Sequence, residues 1–128
     1  MKKLTRKDTE PRFEGKKLVG FTIKREKWGK YKLLRSGDKN EQGCCLGHYA
    51  IACGIRRSVI EDYGALSDAV DFEKHRIEWL DGRNGQSDFQ SSLIKANDDS
   101  SGKYKSPAAK EKRIKELFAK NGIEVTFK

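Results

Sequence analysis

The residues best suited to chemistry lie in one stretch, residues 43–54, which holds all three cysteines and one of the two histidines. Cys45 and His48 have CxxH spacing, and Cys44 and Cys53 lie within the same ten residues. Zinc binds thiolates and imidazoles in a tetrahedral set, and a cysteine beside a base can act as a nucleophile. The cluster therefore indicates one candidate function, that of a zinc- or thiol-dependent protein.

The same stretch carries no Lys, Arg, Asp or Glu, and this favours burial over chemistry. If residues 44–53 form a helix, apolar side chains surround it, which is typical of a buried helix, and Gly54 suits its C-terminus. Four ligands from one continuous helix cannot surround a metal ion, so a zinc site would need His75 or a partner chain. No oxyanion motif accompanies the cysteines. We therefore predict that this helix lies at the centre of the core, with no cofactor.

Two segments at opposite ends of the chain have the pattern of β-strands. Residues 18–23 and residues 123–127 are rich in β-branched and aromatic residues, with apolar side chains at every second position. A lone strand cannot satisfy its backbone hydrogen bonds, so we expect the two strands to pair, in the antiparallel direction. That pairing would bring the basic ends of the chain together.

Further short helices are predicted around the central one, in residues 56–63, 66–80 and 87–96. A last helix should begin at Pro107 after the N-cap Ser106 and stop before Gly122. Residues 97–99, Asn-Asp-Asp, could hold a divalent cation but lack the spacing of a calcium loop, and they better fit a helix cap or an Asx-turn. The sequence thus predicts a compact α+β domain over residues 16–128, with four to five short helices, a small antiparallel sheet and a flexible basic tail at residues 1–15.

The composition limits the class of protein. A chain of 128 residues fits one domain, and no apolar run approaches the roughly 18 residues of a membrane span. The basic N-terminus is not followed by the apolar stretch of a signal peptide, and three cysteines, two of them adjacent, do not suit a secreted disulfide framework. We therefore expect a cytoplasmic protein with no membrane partner.

The net charge of +9 is distributed unevenly. Residues 1–35 carry 13 basic against 4 acidic residues, residues 36–102 carry 7 against 12, and residues 103–128 carry 8 against 3. Two basic ends suggest a polyanionic partner, either nucleic acid or an acidic protein surface. The acidic middle of one copy could also meet the basic ends of another in a homo-oligomer, and lysines that simply keep the protein soluble would need no partner.

Basic residues concentrate beside the first predicted strand and along the last helix. Within residues 24–35 aromatic residues alternate with cations, a pattern that suits nucleic-acid binding as well as a Trp28 packed in the core. The pairing of the strands would join the two groups into one patch with salt-dependent, mostly sequence-independent affinity for nucleic acid. The predicted binding residues are Lys24, Arg25, Lys27, Lys105, Lys110, Lys112, Arg113 and Lys115.

A series of short motifs over residues 18–128 carries a resemblance. In chain order they are Phe21-Thr22-Ile23, Trp28, Leu33-Leu34, Cys44-Cys45-Leu46-Gly47, Ala52-Cys53-Gly54, Asn97-Asp98-Asp99, Leu117-Phe118 and Gly122-Ile123-Glu124-Val125-Thr126-Phe127. With these motifs the chain resembles a family of small uncharacterised proteins common in tailed-bacteriophage genomes and prophages. The resemblance implies a phage origin and the cytoplasm of an infected bacterium, and it implies no enzymatic activity.

Charge and resemblance together favour a non-catalytic phage accessory protein that acts through a basic surface. Its partner would be nucleic acid, or a host complex that processes nucleic acid or acts in defence. The alternative is a zinc- or thiol-dependent function of Cys44, Cys45, His48 and Cys53.

Overall fold

The computed structural model describes residues 3–15, 17–29, 34, 42–61, 86–98 and 106–128, with the backbone alone for residues 86–91. Single turns of 3₁₀ helix lie at Arg6–Thr9 and Arg25–Lys27. The α+β class is confirmed, whereas the helix predicted for residues 66–80 lies outside the described residues. The regular elements of the described part are β1 (Arg12–Glu14), β2 (Lys17–Ile23), α1 (Cys45–Ala52), α2 (Arg57–Ile60), α3 (Gln86–Asp98), α4 (Pro107–Ala119) and β3 (Glu124–Phe127).

The sheet joins the two ends of the chain as predicted, in the order β1-β2-β3. The predicted antiparallel direction is wrong, because β2 and β3 are parallel, with Phe21 opposite Val125 and Ile23 opposite Phe127. An alternating apolar pattern is the same whether a strand is read forwards or backwards, so it cannot fix the direction of pairing. The connection between these strands contains the four α-helices of the described residues, and a long helical crossover of this kind is what parallel neighbours require.

Residues 3–15, which the sequence predicts to lie within a flexible tail, pack against the domain in the structure. Leu4 is fully buried in the core, and β1 forms antiparallel pairs with β2. Asp8 accepts hydrogen bonds from the backbone N–H and the hydroxyl of Thr5. Composition suggested a tail because apolar residues are sparse in this segment. One deeply buried leucine, a strand edge and a set of ion pairs hold it in place instead.

Helix α1 occupies the centre of the core, as predicted, and all eight of its residues are buried. Tyr49 lies between two phenylalanine rings, with ring centroids 5.9 Å from Phe21 on β2 and 5.7 Å from Phe118 on α4. Gly54 ends the helix at a φ of 93°, a conformation that favours glycine. Its N–H donates to the Ile51 carbonyl and the N–H of Ile55 donates to the Ala50 carbonyl, and these two bonds together form a Schellman motif.

Helix α4 has the start and stop signals that the sequence predicts. The Ser106 hydroxyl accepts a hydrogen bond of 3.2 Å from the Ala109 N–H, and proline occupies the first helical position. Gly122, at a φ of 74°, turns the chain from the helix into β3. Ile114, Leu117 and Phe118 face the core. None of the helices in the described ranges combines the length and the apolar character needed to cross a membrane.

Candidate functional site

Two of the three cysteines, Cys44 and Cys45, are buried, and all three thiols are protonated at neutral pH. Burial raises the pKa of Cys44 to about 11 and that of Cys45 well above its usual range, and it raises the pKa of the half-buried Cys53 to about 11. Nucleophilic attack and metal ligation both require the thiolate. Within the described ranges, no three His, Cys, Asp or Glu residues are grouped so that they could hold a metal ion. In this geometry the cysteines act as small apolar side chains that fill the core around α1.

The His48 side chain forms a hydrogen bond to the backbone and is not placed as a catalytic base. Its Nε2 lies 2.9 Å from the Lys27 carbonyl oxygen, so this nitrogen carries the proton and donates. The same carbonyl accepts a 2.9 Å hydrogen bond from the Gly43 N–H, and the imidazole therefore secures the bridge between these segments. Nδ1 is buried without a hydrogen-bond partner among the described residues. Burial lowers the pKa of His48 to about 4, which keeps the ring neutral at physiological pH.

The stability of the protein should fall as the pH drops from about 6.5 to about 4. His48 has a lowered pKa in the folded state, so between these values the unfolded state binds a proton that the folded state rejects. Neighbouring Asp8 and Lys27 have opposite effects on the imidazolium, and the burial of the ring outweighs both. We expect a loss of about 3 kcal/mol at most across this range, measured by urea unfolding at a series of pH values.

His48→Phe should flatten that pH dependence, because it removes the titrating group from a buried site. The matched control is His75→Gln, at the other histidine, which lies outside the described residues. An unchanged pH slope in the His48→Phe variant would show that other groups are responsible for the acid sensitivity.

The Asn97 side chain hydrogen-bonds to two other segments of the chain and is not part of a cation site. Its Oδ1 accepts hydrogen bonds from the Trp28 indole N–H at 2.6 Å and from the Cys45 N–H at 3.0 Å. Its Nδ2 donates to the Gly29 carbonyl at 2.9 Å. The predicted capping role is therefore found, but the helix capped is α1, which is distant in sequence. Asp99 lies outside the described residues. These bonds occupy the Trp28 indole, which also packs on the ring of Phe127 at 4.9 Å, so it is not free to stack on a base.

Two of the predicted binding residues, Lys24 and Lys27, form ion pairs with the same carboxylate, that of Asp8. The Asp8 carboxylate lies 3.1 Å from the Lys24 ammonium and 2.8 Å from the Lys27 ammonium. Lys27 is 7% exposed and also donates to the Lys3 carbonyl at 3.0 Å. Burial alone would raise the pKa of Asp8, but hydrogen bonds from Lys27, from Thr5 and from Lys24 together hold it well below its usual range. These lysines thus anchor the N-terminal segment and do not form an exposed patch.

Other predicted binding residues are also engaged within the protein. The Arg25 guanidinium forms a two-pronged pair with Glu111, at 2.9 Å and 2.7 Å, and this hydrogen bonding raises its pKa. Lys110 donates to the Asn97 carbonyl at 3.3 Å, and Arg113 lies 3.5 Å from Glu116 on the same helix. Lys105 lies outside the described residues. The sequence placed these cations near one another but could not show which of them face a carboxylate.

Lys112 and Lys115 of α4 remain exposed, and neither forms an ion pair among the described residues. They are three positions apart on a helix, so their side chains leave the surface about 5–6 Å from each other. We call these two residues the α4 lysine pair. They are the members of the predicted set that the structure leaves available to an external anion.

A second cationic feature was missed in the sequence. Arg6, Arg56 and Arg57 line a groove of about 270 Å³. Arg56 and Arg57 are adjacent in the sequence and could have been noticed there. Nothing in the sequence indicates that Arg6, which lies in the predicted tail, is close to them in the fold. We call this feature the arginine groove; its other lining residues are Leu4, Thr5, Ile51, Gly54 and Ile55.

Comparison with known proteins adds no family to this picture. Neither the protein-family models, nor the curated proteins, nor the solved structures contain a match to the chain. The functional argument therefore rests on the charges and on the geometry described above.

Proposed function

We propose that this protein is a non-catalytic accessory protein that binds nucleic acid through exposed basic side chains. A phage or prophage origin, and action in the cytoplasm of the infected bacterium, are part of this proposal and rest on the motif resemblance. The buried, protonated thiols give no support to a zinc- or thiol-dependent alternative, so the proposal does not use them.

The observation that carries the proposal is the α4 lysine pair, in a chain with a net charge of +9. Lys24, Lys27 and Arg25 contact the carboxylates of Asp8 and Glu111, which offset two of their three positive charges. Lys112 and Lys115 face solvent from a rigid helix whose opposite side packs in the core. A pair of uncompensated cations at this spacing can contact successive phosphates along a nucleic-acid backbone, which gives an affinity that decreases with salt.

The proposal is tested by fluorescence anisotropy with labelled single-stranded DNA, duplex DNA and RNA over a range of salt concentrations. We expect binding at low salt that weakens steeply as salt rises. The double variant Lys112→Glu/Lys115→Glu should lose at least about tenfold in affinity, and the slope of log affinity against log salt should become shallower by roughly two units. Both lysines are exposed, so the variant should fold normally.

The matched control is Lys17→Glu/Lys95→Glu, which changes the net charge equally at two exposed lysines on β2 and α3. It should retain most of the affinity. Equal losses in the two double variants would contradict a defined surface on α4. If wild type binds no nucleic acid at low salt, the proposal is refuted. Binding to an acidic protein instead would indicate that the basic surface recognises a protein partner.

A further inference from the structure

We propose that the outer edge of β1 is a dimer interface, at which the strand of one copy pairs antiparallel with the same strand of a second copy. The two-fold axis passes beside Phe13, so that Phe13 of one copy meets Phe13 of the other. Arg12 and Glu14 of one copy then meet Glu14 and Arg12 of the other. The inference goes beyond the proposed function, because it does not involve nucleic acid.

The outer edge of β1 is open to a partner strand. Within the described residues β1 pairs with β2 on one side only, and all three of its residues are exposed. Phe13 is 40% exposed, and of the residues that the structure describes it is the one large apolar side chain left at the surface. An edge strand presents a row of unpaired N–H and C=O groups, which is a template for pairing with another chain.

The backbone of Phe13 points towards that open edge. Glu14 and Lys17 close the hairpin between β1 and β2, and Gly15 has the positive φ of 62° that suits a tight turn. The closing pair of such a hairpin is hydrogen-bonded, and bonded and non-bonded pairs alternate along antiparallel strands. The N–H and C=O of the next residue, Phe13, therefore point away from β2 and can bond to a strand on its other side.

The side chains of β1 suit an identical partner. The residues on either side of Phe13 have opposite charges, so an antiparallel arrangement about this position sets a guanidinium opposite a carboxylate twice. Glu14 has no ion-pair partner among the described residues. An edge strand protected by lysines alone repels a second copy, because like charges then lie opposite each other. The charges of β1 instead favour the pairing of one copy with another.

Arg12 already pairs with Glu124 of β3, and this contact does not prevent the new one. The guanidinium lies 2.9 Å from the Glu124 carboxylate, across the place where a Cβ on Gly20 would be. The two side chains are 56% and 72% exposed, and exposed ion pairs contribute little to stability. One terminal nitrogen makes this contact, and a guanidinium has further N–H donors. Arg12 can therefore bind a second carboxylate or exchange its partner.

Pairing of this kind stops at two copies. Each copy uses its β1 edge once, so two three-stranded sheets become one continuous sheet and no fibre forms. A three-residue strand buries much less than the roughly 1,200–2,000 Å² of a stable interface, so we expect a weak dimer at high protein concentration. The net charge of +9 on each copy opposes association until salt screens it, over about 8 Å at roughly 0.15 M salt.

Sedimentation equilibrium of the full chain at about 0.15 M salt measures the association. The weight-average mass should rise with protein concentration towards that of a dimer and no further, and the NMR signal of the Phe13 amide should shift over the same range. Phe13→Ser and Glu14→Arg should each weaken association by about tenfold. Glu61→Arg makes the same charge change at an exposed residue outside β1 and should have much less effect.

A mixture of two charge-reversed variants distinguishes the pairing of β1 strands from any other contact. Arg12→Glu and Glu14→Arg each set like charges opposite each other in a homodimer, so each alone should associate about tenfold more weakly than wild type. Their equimolar mixture restores both opposite-charge pairs and should associate almost as strongly as wild type. A mixture that associates no better than the separate variants would overturn the inference, as would a wild type that is monomeric up to about 1 mM. Wild-type association that none of these variants changes would also overturn it, because another surface would then be responsible.

Discussion

Replacing Asn97 by alanine should destabilise the protein by about 3–5 kcal/mol, the largest single effect that we expect from a polar side chain. The side chain is 1% exposed and joins α3 to two other segments, to Trp28 Nε1 and the Gly29 carbonyl in one and to the Cys45 N–H in the other. Alanine would leave two donors and one acceptor without their partner, and each unsatisfied buried group costs about 1–3 kcal/mol. Equilibrium urea unfolding measures the loss, and the NMR signal of the Trp28 indole N–H should shift in the folded variant.

Two further variants show whether the lost hydrogen bonds of the Asn97 side chain cause the loss of stability. Lys95→Ala, at an exposed position on the same helix, should leave the free energy of unfolding nearly unchanged. Asn97→Asp keeps the shape of the side chain but loses the donors of the amide and brings a second carboxylate beside Asp98, so it should also be strongly destabilised. A loss below about 1 kcal/mol in Asn97→Ala would show that water or neighbouring groups replace the network.

Removing the Asp8 carboxylate is the second change with a large expected effect. Asp8→Ala would leave the Lys27 ammonium buried with the Lys3 carbonyl as its remaining acceptor. The loss of one partner of a buried ion pair costs about 3–5 kcal/mol, and we expect the lower part of that range because Asp8 keeps some contact with solvent. The lowered pKa of Asp8 adds a pH signature, since its stabilising effect is present above the usual carboxyl pKa and is lost as the pH falls below it.

The double variant Asp8→Ala/Lys27→Met distinguishes two causes of the lost stability, namely the unpaired buried Lys27 ammonium and the missing hydrogen bonds of Asp8. It should recover a large part of the stability, because no uncompensated ammonium remains in the core. Glu124→Ala is the matched control, as it removes a carboxylate whose partner, Arg12, is exposed. If the double variant is as unstable as Asp8→Ala alone, the cost does not come from the buried charge.

The parts of the fold that were predicted correctly depend on local signals. The uncharged stretch around Cys45 gave the buried helix, the Ser106–Pro107 pair gave the start of α4, and Gly122 gave its end. Each of these signals acts within a turn or two of the chain, so one sequence is enough to read them.

The parts that were missed depend on contacts between distant segments. Nothing near Asp8 indicates that two lysines from the segment after β2 will face it, and nothing near Asn97 indicates that it will cap α1. For the same reason the sequence could not show that some cations of the predicted basic patch form ion pairs within the protein. A count of charges in the sequence does not distinguish paired from unpaired cations. In the fold, Lys24, Lys27 and Arg25 face carboxylates, whereas the α4 lysine pair is exposed.

The parallel pairing of β2 with β3 has a consequence for how the chain acquires its structure. Gly20 pairs with Glu124, so about a hundred residues separate strands that are neighbours in the sheet. A contact of this span requires a large loss of chain entropy before the paired strands contribute any stabilising interaction. Folding is therefore expected to be slower than that of a helical bundle of similar size. During synthesis, β2 can pair with β1 along one edge, but its other edge stays unpaired until β3 has been made. We therefore expect removal of residues 124–127 to leave an aggregation-prone intermediate and not a smaller native domain.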